Sequence, residues 1–280
     1  MRVPRLLVLL IGAAVLTSAC SSGATPLAVV ASSGASIGTG EQRILFAMVD
    51  PESNAFLASE DAAATALLRD EDGTPLGTYD LEFVWTVPEV RGIYAGYLEI
   101  PGPGVYQVSV EQDGLAESGP AGFVAVDNPP MVGPGESALL SETRTAADVA
   151  DLSLITSDPE PDPEMYSMTV AEAVSNGRPS VLVFATPGFC TSQSCGPMLD
   201  QVKDLRPDYP AIDFVHVEIY DDLQVDNVED LVVVDAVLEW QLPSEPWIYI
   251  IDGDGTVVAA FEGAVNDDEL AAVLDEFGGQ

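Results

Sequence analysis

Between residues 43 and 127 the apolar side chains fall in strand-length runs: RILFAMV (43–49), TALLRD (65–70), TYDLEFVWTV (78–87), GIYAGYLEI (92–100), GVYQVSVEQ (104–112) and GFVAV (122–126). β-Branched and aromatic residues dominate them, and EDGTPLG and PGPG punctuate them, which predicts strands joined by tight turns. In the fifth run Tyr106, Val108 and Val110 alternate with Val105, Gln107, Ser109 and Glu111, the pattern of an antiparallel strand with one buried and one wet face. The pattern predicts an all-β domain over 43–127, built as a small sandwich.

Proline then takes over. Residues 128–164 contain NPPMVGPGES and SDPEPDPE, where absent N–H donors and the restricted residue before each proline disfavour element interiors, so the stretch reads as a linker. ADVADLSLI, between those runs, fits either a short helix or a strand. From residue 165 the period changes. MTVAEAVSNG (168–177) predicts a helix ending near Gly177, PSVLVFA (179–185) a buried strand, MLDQVKDL (198–205) a helix and IDFVHVEIY (212–220) another strand. NVEDLVVVDAVLEWQ (227–241) reads mainly as a helix, although its three valines also suit a strand. WIYIIDGDGTVVAAFEG (247–263) is a hairpin around Asp254-Gly255, and NDDELAAVLDEF is a last helix opened by Asn266 or Asp267. The order β-α-β-α-β-β-α predicts an α/β domain with a mixed sheet over 165–280.

Charge narrows the partners. Against 46 Asp plus Glu stand 9 Lys plus Arg, for a formal net charge of -37, and 47% of residues are hydrophobic, enough for real cores. Such a surface repels phosphate backbones and anionic headgroups, so a nucleic-acid partner is excluded from the reading. At the N-terminus, Arg2 and Arg5 precede the apolar run LLVLLIGAAVLTSA, which ends directly before Cys20. A positive start, a greasy core too short for an ordinary span and small residues before a cleavage point predict a signal peptide over 1–19. The stretch after Cys20 is small, polar and Gly-rich, so 20–42 reads as a tether.

Beyond Cys20 the chain has two cysteines, Cys190 and Cys195, in ATPGFCTSQSCGPMLDQV, just after the buried strand and at the start of a helix. A thiol there meets unpaired helix N–H groups, which favour the thiolate, the form that attacks a disulfide. Pro187 and Gly188 supply a turn that can present Cys190, and Thr191 or Ser192 is placed to cap the helix. Five helical residues rise about 7.5 Å, beyond the ~7 Å that a disulfide bridges easily, so either Cys190 lies in the loop or the first turn loosens. A redox pair, a structural staple and a metal site all fit two such cysteines.

The segment ending at Thr17, Ser18, Ala19 and Cys20 resembles a bacterial lipoprotein signal, with Thr17 where such signals usually carry Leu; the resemblance implies lipid on Cys20 and an outward-facing protein. The strand pattern of 43–127 resembles the immunoglobulin-like modules of exported bacterial proteins. Residues 165–280 resemble the thioredoxin-fold superfamily through VLVFA, Phe189 before Cys190, Gly196-Pro197 and EPWIYIIDGDGTVVAAFEG. That resemblance implies a cis proline facing the nucleophile, matched by Pro246, where a partner chain or disulfide is aligned. The spacing departs from the family's usual CxxC, and Phe184 stands where thioredoxin keeps a buried acid. TPGFCTSQSC also looks like the TPGC…C segment of one-chain, Q-type peroxiredoxins, which implies attack by Cys190 and resolution by Cys195; Phe189 intervenes, however, and no arginine follows Arg206. The copper-chaperone relatives add a distant His, but the sole His216 lies in FVHVEIY, away from Pro246.

Other candidates suit plainer roles. Asp252, Asp254 and Glu262 flank a hairpin, Trp240 and Trp247 suit the core, and Glu218 and Asp221 end a strand where they could move protons. The fold expected is therefore an all-β immunoglobulin-like sandwich followed by an α/β thioredoxin-like domain. The activity expected is thiol–disulfide exchange with proteins of the cell envelope at the outer face of the membrane, with Cys190, Cys195 and Pro246 as site residues and neither cofactor nor metal. Two rivals are a non-enzymatic binding lipoprotein with a structural disulfide, and a thiol peroxidase.

Overall fold

The computed structural model describes residues 25–225 and 227–278. The expected signal at 1–19 and the expected lipid site Cys20 lie outside the described residues.

Seven strands build the N-terminal half: β1 (Leu27–Val30), β2 (Gly40–Val49), β3 (Ala64–Asp70), β4 (Pro75–Val87), β5 (Arg91–Ile100), β6 (Gly104–Gln112) and β7 (Ala121–Ala125). All pair antiparallel in the order β1-β2-β5-β4-β3-β6-β7. A bridge between Leu27 and Gly119, with the Gly119 N–H donating to the Pro26 carbonyl at 3.0 Å, draws the two edges together into a nearly closed barrel. The all-β expectation holds, but the strands are not divided between two stacked sheets as in an immunoglobulin-like sandwich. The 13-residue β4 pairs with β3 along its first part and with β5 along its second, so the sheet rolls instead of splitting.

Ile44, Phe46, Met48, Leu68, Tyr94, Leu98, Val108 and Val110 fill the barrel, while Tyr106 stacks on Phe123. On the outside, Leu45, Ala47, Val84, Ile93 and Ala95 bury themselves against Ala264 of the second domain. Covering both faces of β2 in this way lets Ile44–Met48 run apolar without alternation. Leu27–Val30 lies within the stretch expected as a tether, yet it forms β1 by pairing with Phe46–Val49.

The proline-rich stretch is laid on the second domain. Gly135 donates to the Val257 carbonyl, Val257 to the Glu136 carbonyl and Ala138 to the Gly255 carbonyl. Met131, Ala138 and Ile155 bury their side chains there, and ADVADLSLI contributes two single 3-10 turns rather than a helix or a strand.

In the second domain α1 (Val170–Ser175) begins with a reciprocal cap, Thr169 Oγ1 accepting from the Glu172 N–H and Glu172 Oε2 from the Thr169 N–H. It stops before Gly177, whose φ of +85° suits glycine. The remaining elements are β8 (Ser180–Ala185), α2 (Cys195–Leu205), β9 (Asp213–Glu218), β10 (Tyr220–Asp221), β11 (Val232–Val233), α3 (Asp235–Glu239), β12 (Trp247–Ile251), β13 (Val257–Glu262) and α4 (Asp267–Gly278). The main sheet runs β13-β12-β8-β9, with β8 parallel to β9 and antiparallel to β12. Val181, Val183 and Ala185 of the central β8 pack with α2 and α4, whereas Leu182 and Phe184 pack with α1, α3 and Trp240. The helix expected over 227–241 is broken. Its valines divert Val232–Val233 into β11, paired with Tyr220–Asp221, leaving a single 3-10 turn at Val228–Asp230 and the α-helix Asp235–Glu239.

Candidate redox site

Cys190 and Cys195 form a disulfide with their Cα atoms 6.0 Å apart, inside the range a bridge tolerates. Cys195 is the first residue of α2, and Cys190 sits in the turn after β8, its N–H donating to the Thr186 carbonyl at 3.0 Å. The loop alternative, and not a loosened helical turn, is thus the one the chain adopts. Ser194 occupies the cap position without a side-chain cap bond, where Thr191 or Ser192 had been expected. Ser192 Oγ lies instead 3.1 Å from Cys190 Sγ and 2.7 Å from Ser194 Oγ.

The two sulfurs differ in access. Cys195, at the start of α2, is completely buried in the core, whereas Cys190 is half-buried at the surface. Opening the bridge would leave a Cys195 thiolate at a helix start, where backbone N–H groups and the helix dipole favour negative charge.

Behind the turn lies a buried acid. Glu218 ends β9 in register with Ala185 and is 5% exposed. Ser157, from the proline-rich stretch, donates to Glu218 Oε2 from both its N–H (2.7 Å) and its hydroxyl (2.6 Å), and accepts from the Gly188 N–H at 2.9 Å. A Cβ on Gly188 would come within 2.8 Å of the Ser157 Cβ, so this close approach needs glycine. Burial pushes the Glu218 carboxyl up, and the Ser157 donors pull it partly back. Phe184 is buried in β8 against Trp240 and Tyr249, and the buried acid near the cysteine loop is Glu218 on the neighbouring strand. Asp221 is exposed and paired with Arg144 at 2.8 Å.

The Glu245-Pro246 bond is cis, as the resemblance implied. Ser244 and Glu245 line a cavity of about 280 Å³ together with Ser192 and Ser194, so the Pro246 loop and the cysteine loop face one space. Leu45, Ala47, Phe56, Arg91 and Ile93 of the barrel close its other side. Burial raises the Glu245 carboxyl. Glu262 Oε1 accepts from the Ser33 N–H (2.8 Å) and the Ser244 hydroxyl (2.5 Å), and Oε2 from the Ser36 hydroxyl (2.6 Å), joining barrel and Pro246 loop. Trp247 donates to Ser244 Oγ at 3.3 Å and is buried beside it; Trp240 is fully buried in the core. Sequence reasoning missed Ser157, Arg91 and the linking role of Glu262, because each acts across a chain separation that no local pattern reports.

His216 is a core residue. Its Nε2 donates to the Ala185 carbonyl at 3.1 Å and its Nδ1 faces the Tyr166 hydroxyl at 2.6 Å, so both ring nitrogens are engaged within the fold. Burial lowers its pKa from 6.5 to about 4, against a smaller upward pull from the Ala185 carbonyl. Between those values the unfolded chain binds a proton that the folded chain refuses. The stability tied to the neutral ring is therefore complete above pH 6.5 and is lost as pH falls toward 4, on the order of 3 kcal/mol across the interval. Glu218, shifted upward, has the opposite sign. Wild-type urea midpoints should thus fall more steeply between pH 7 and pH 4 than those of His216→Gln, and parallel slopes would show that the ring does not titrate this way.

Residues 166–278 match the family model of a thioredoxin-like domain, so the second domain is thioredoxin-like and carries a disulfide of Cys-x4-Cys spacing. No curated protein gives a significant match to the chain.

Proposed function

We propose that the protein is a thiol–disulfide oxidoreductase that acts on protein disulfides at the outer face of the cell membrane, anchored there by lipid on Cys20. The carrying observation is the asymmetric bridge, with half-buried Cys190 bonded to fully buried Cys195 at the first residue of α2. In the oxidising direction a partner thiolate attacks Cys190 Sγ, the Cys190–Cys195 bond breaks and Cys195 leaves as thiolate. A second partner thiolate then displaces Cys190 from the mixed disulfide. The partner dithiol becomes a disulfide, the chain becomes a dithiol, and two electrons and two protons have moved. The reverse sequence reduces a partner. Pro246 is assigned to position the partner, since its neighbours Ser244 and Glu245 share a cavity with Ser192 and Ser194. The anchor rests on the sequence before Cys20; among the described residues no helix is long and apolar enough to cross a membrane.

One experiment covers both parts: wild type and Cys20→Ala are expressed, fractionated and equilibrated in glutathione buffers, with thiols counted by alkylation and mass. Wild type should sediment with membranes and Cys20→Ala should not. In both, the bridge should open reversibly within the range of exchange proteins, about -120 to -270 mV. A bridge still closed below about -300 mV would behave as a structural staple.

A further inference from the structure

Among the described residues, one barrel side chain hydrogen-bonds to the redox loop. Arg91 opens β5, and its Nε–H donates to Thr86 Oγ1 at 3.1 Å while the Thr86 hydroxyl donates to the Arg91 carbonyl at 3.0 Å. Its guanidinium lies over the Phe56 ring, 5.2 Å from the centroid. So held, Nη2 donates to the carbonyl of Ser192, the residue whose hydroxyl touches Cys190 Sγ. Among the described residues, Arg91 is the one cation lining the cavity shared by the cysteine loop and the Pro246 loop.

We propose that Arg91 is a positioning residue of the redox centre, by which the β-barrel fixes the Cys190 loop and favours the Cys190 thiolate once the bridge is reduced. The charged groups facing this loop make the case. From the Pro246 side come Glu245 and Glu262, the latter engaged by Ser33, Ser36 and Ser244; from behind comes Glu218 under Ser157. Nearby carboxylates and partial burial each disfavour a thiolate, whereas a fixed guanidinium favours it. Stabilising the thiolate stabilises the dithiol, which makes the disulfide the stronger oxidant. The barrel is then a working half of the site rather than a spacer.

The consequence for exchange rests on the function proposed above, but the effect on the thiol does not, and the two are measured separately. The full chain is reduced with a phosphine, and the pH dependence of Cys190 alkylation is followed in wild type, Arg91→Gln, Arg91→Lys and Tyr97→Phe. Tyr97→Phe removes a different contact between the domains, the Tyr97 hydroxyl to Glu269. Arg91→Gln should raise the apparent Cys190 pKa by about half a unit to one unit and move the glutathione equilibrium about three- to tenfold toward the disulfide. Arg91→Lys should recover part of both shifts, and Tyr97→Phe should leave both unchanged. An unchanged thiol in Arg91→Gln, or an equal shift in Tyr97→Phe, would overturn the proposal. A wild-type bridge that never exchanges with glutathione, beside a shifted thiol in Arg91→Gln, would sink the oxidoreductase reading alone.

Discussion

Cys190→Ser should abolish exchange with protein disulfides, a loss of at least about a thousandfold, whereas Cys195→Ser should keep the first step and accumulate a mixed disulfide on Cys190. The difference comes from access. A partner sulfur must approach in line with the bond it breaks, and Cys195 is completely buried at the start of α2 while Cys190 is half-buried in the turn. With Ser at 195 the chain has no second thiol of its own to displace the partner from Cys190, so the intermediate lives long enough for mass spectrometry. Stability does not confuse the comparison. Both variants lose the same short bridge, about 2 kcal/mol in the chain-entropy model, so a difference between them reports chemistry. Trapping by Cys190→Ser instead would reverse the roles assigned to the two cysteines, and trapping by neither would make the bridge a staple.

What the sequence discloses about this site is local, and what it hides is distant. The buried strand before the cysteines is legible because Ser180–Ala185 is covered on both faces, leaving Val181–Ala185 an unbroken apolar run. Thr169 and Glu172 advertise the start of α1, and Asp252 to Gly255 the hairpin, since caps and turns depend on neighbouring residues. The cysteine pair and Pro246 are legible as motifs. By contrast, Leu27–Val30 has too few residues for a period and becomes a strand only because β2 offers an edge. The valines at 232–234 satisfy helix and strand patterns alike, and the edge at Tyr220–Asp221 decides between them. Arg91 meets Ser192 across 101 positions and Ser157 meets Glu218 across 61. Such encounters are set by how the barrel and the thioredoxin-like domain pack, which hydrophobic periodicity along one segment does not encode.

That packing hangs on a second arginine, and Arg43→Ala should be the most destabilising single change at the domain boundary. Arg43 Nε and Nη2 donate to the two carboxylate oxygens of Glu269 at 2.7 and 2.9 Å, and Nη2 donates also to the Ala264 carbonyl at 2.8 Å. The side chains are only 8% and 13% exposed, so solvent screens the pair poorly. Glu269 also accepts from the Tyr97 hydroxyl at 2.5 Å and sits in the first turn of α4, where negative charge is favoured. Removing Arg43 leaves a carboxylate desolvated without its counter-charge, a loss of about 3–5 kcal/mol, and exposes one face of Phe261, over which the guanidinium lies. The partnership is tested by a double-mutant cycle on denaturant midpoints. Arg43→Ala with Glu269→Ala should cost less than the two single losses added, because the second deletion removes the stranded charge. Strict additivity, or a loss below about 0.5 kcal/mol in Arg43→Ala, would place the adhesion of the domains in the apolar patch around Ala264 instead.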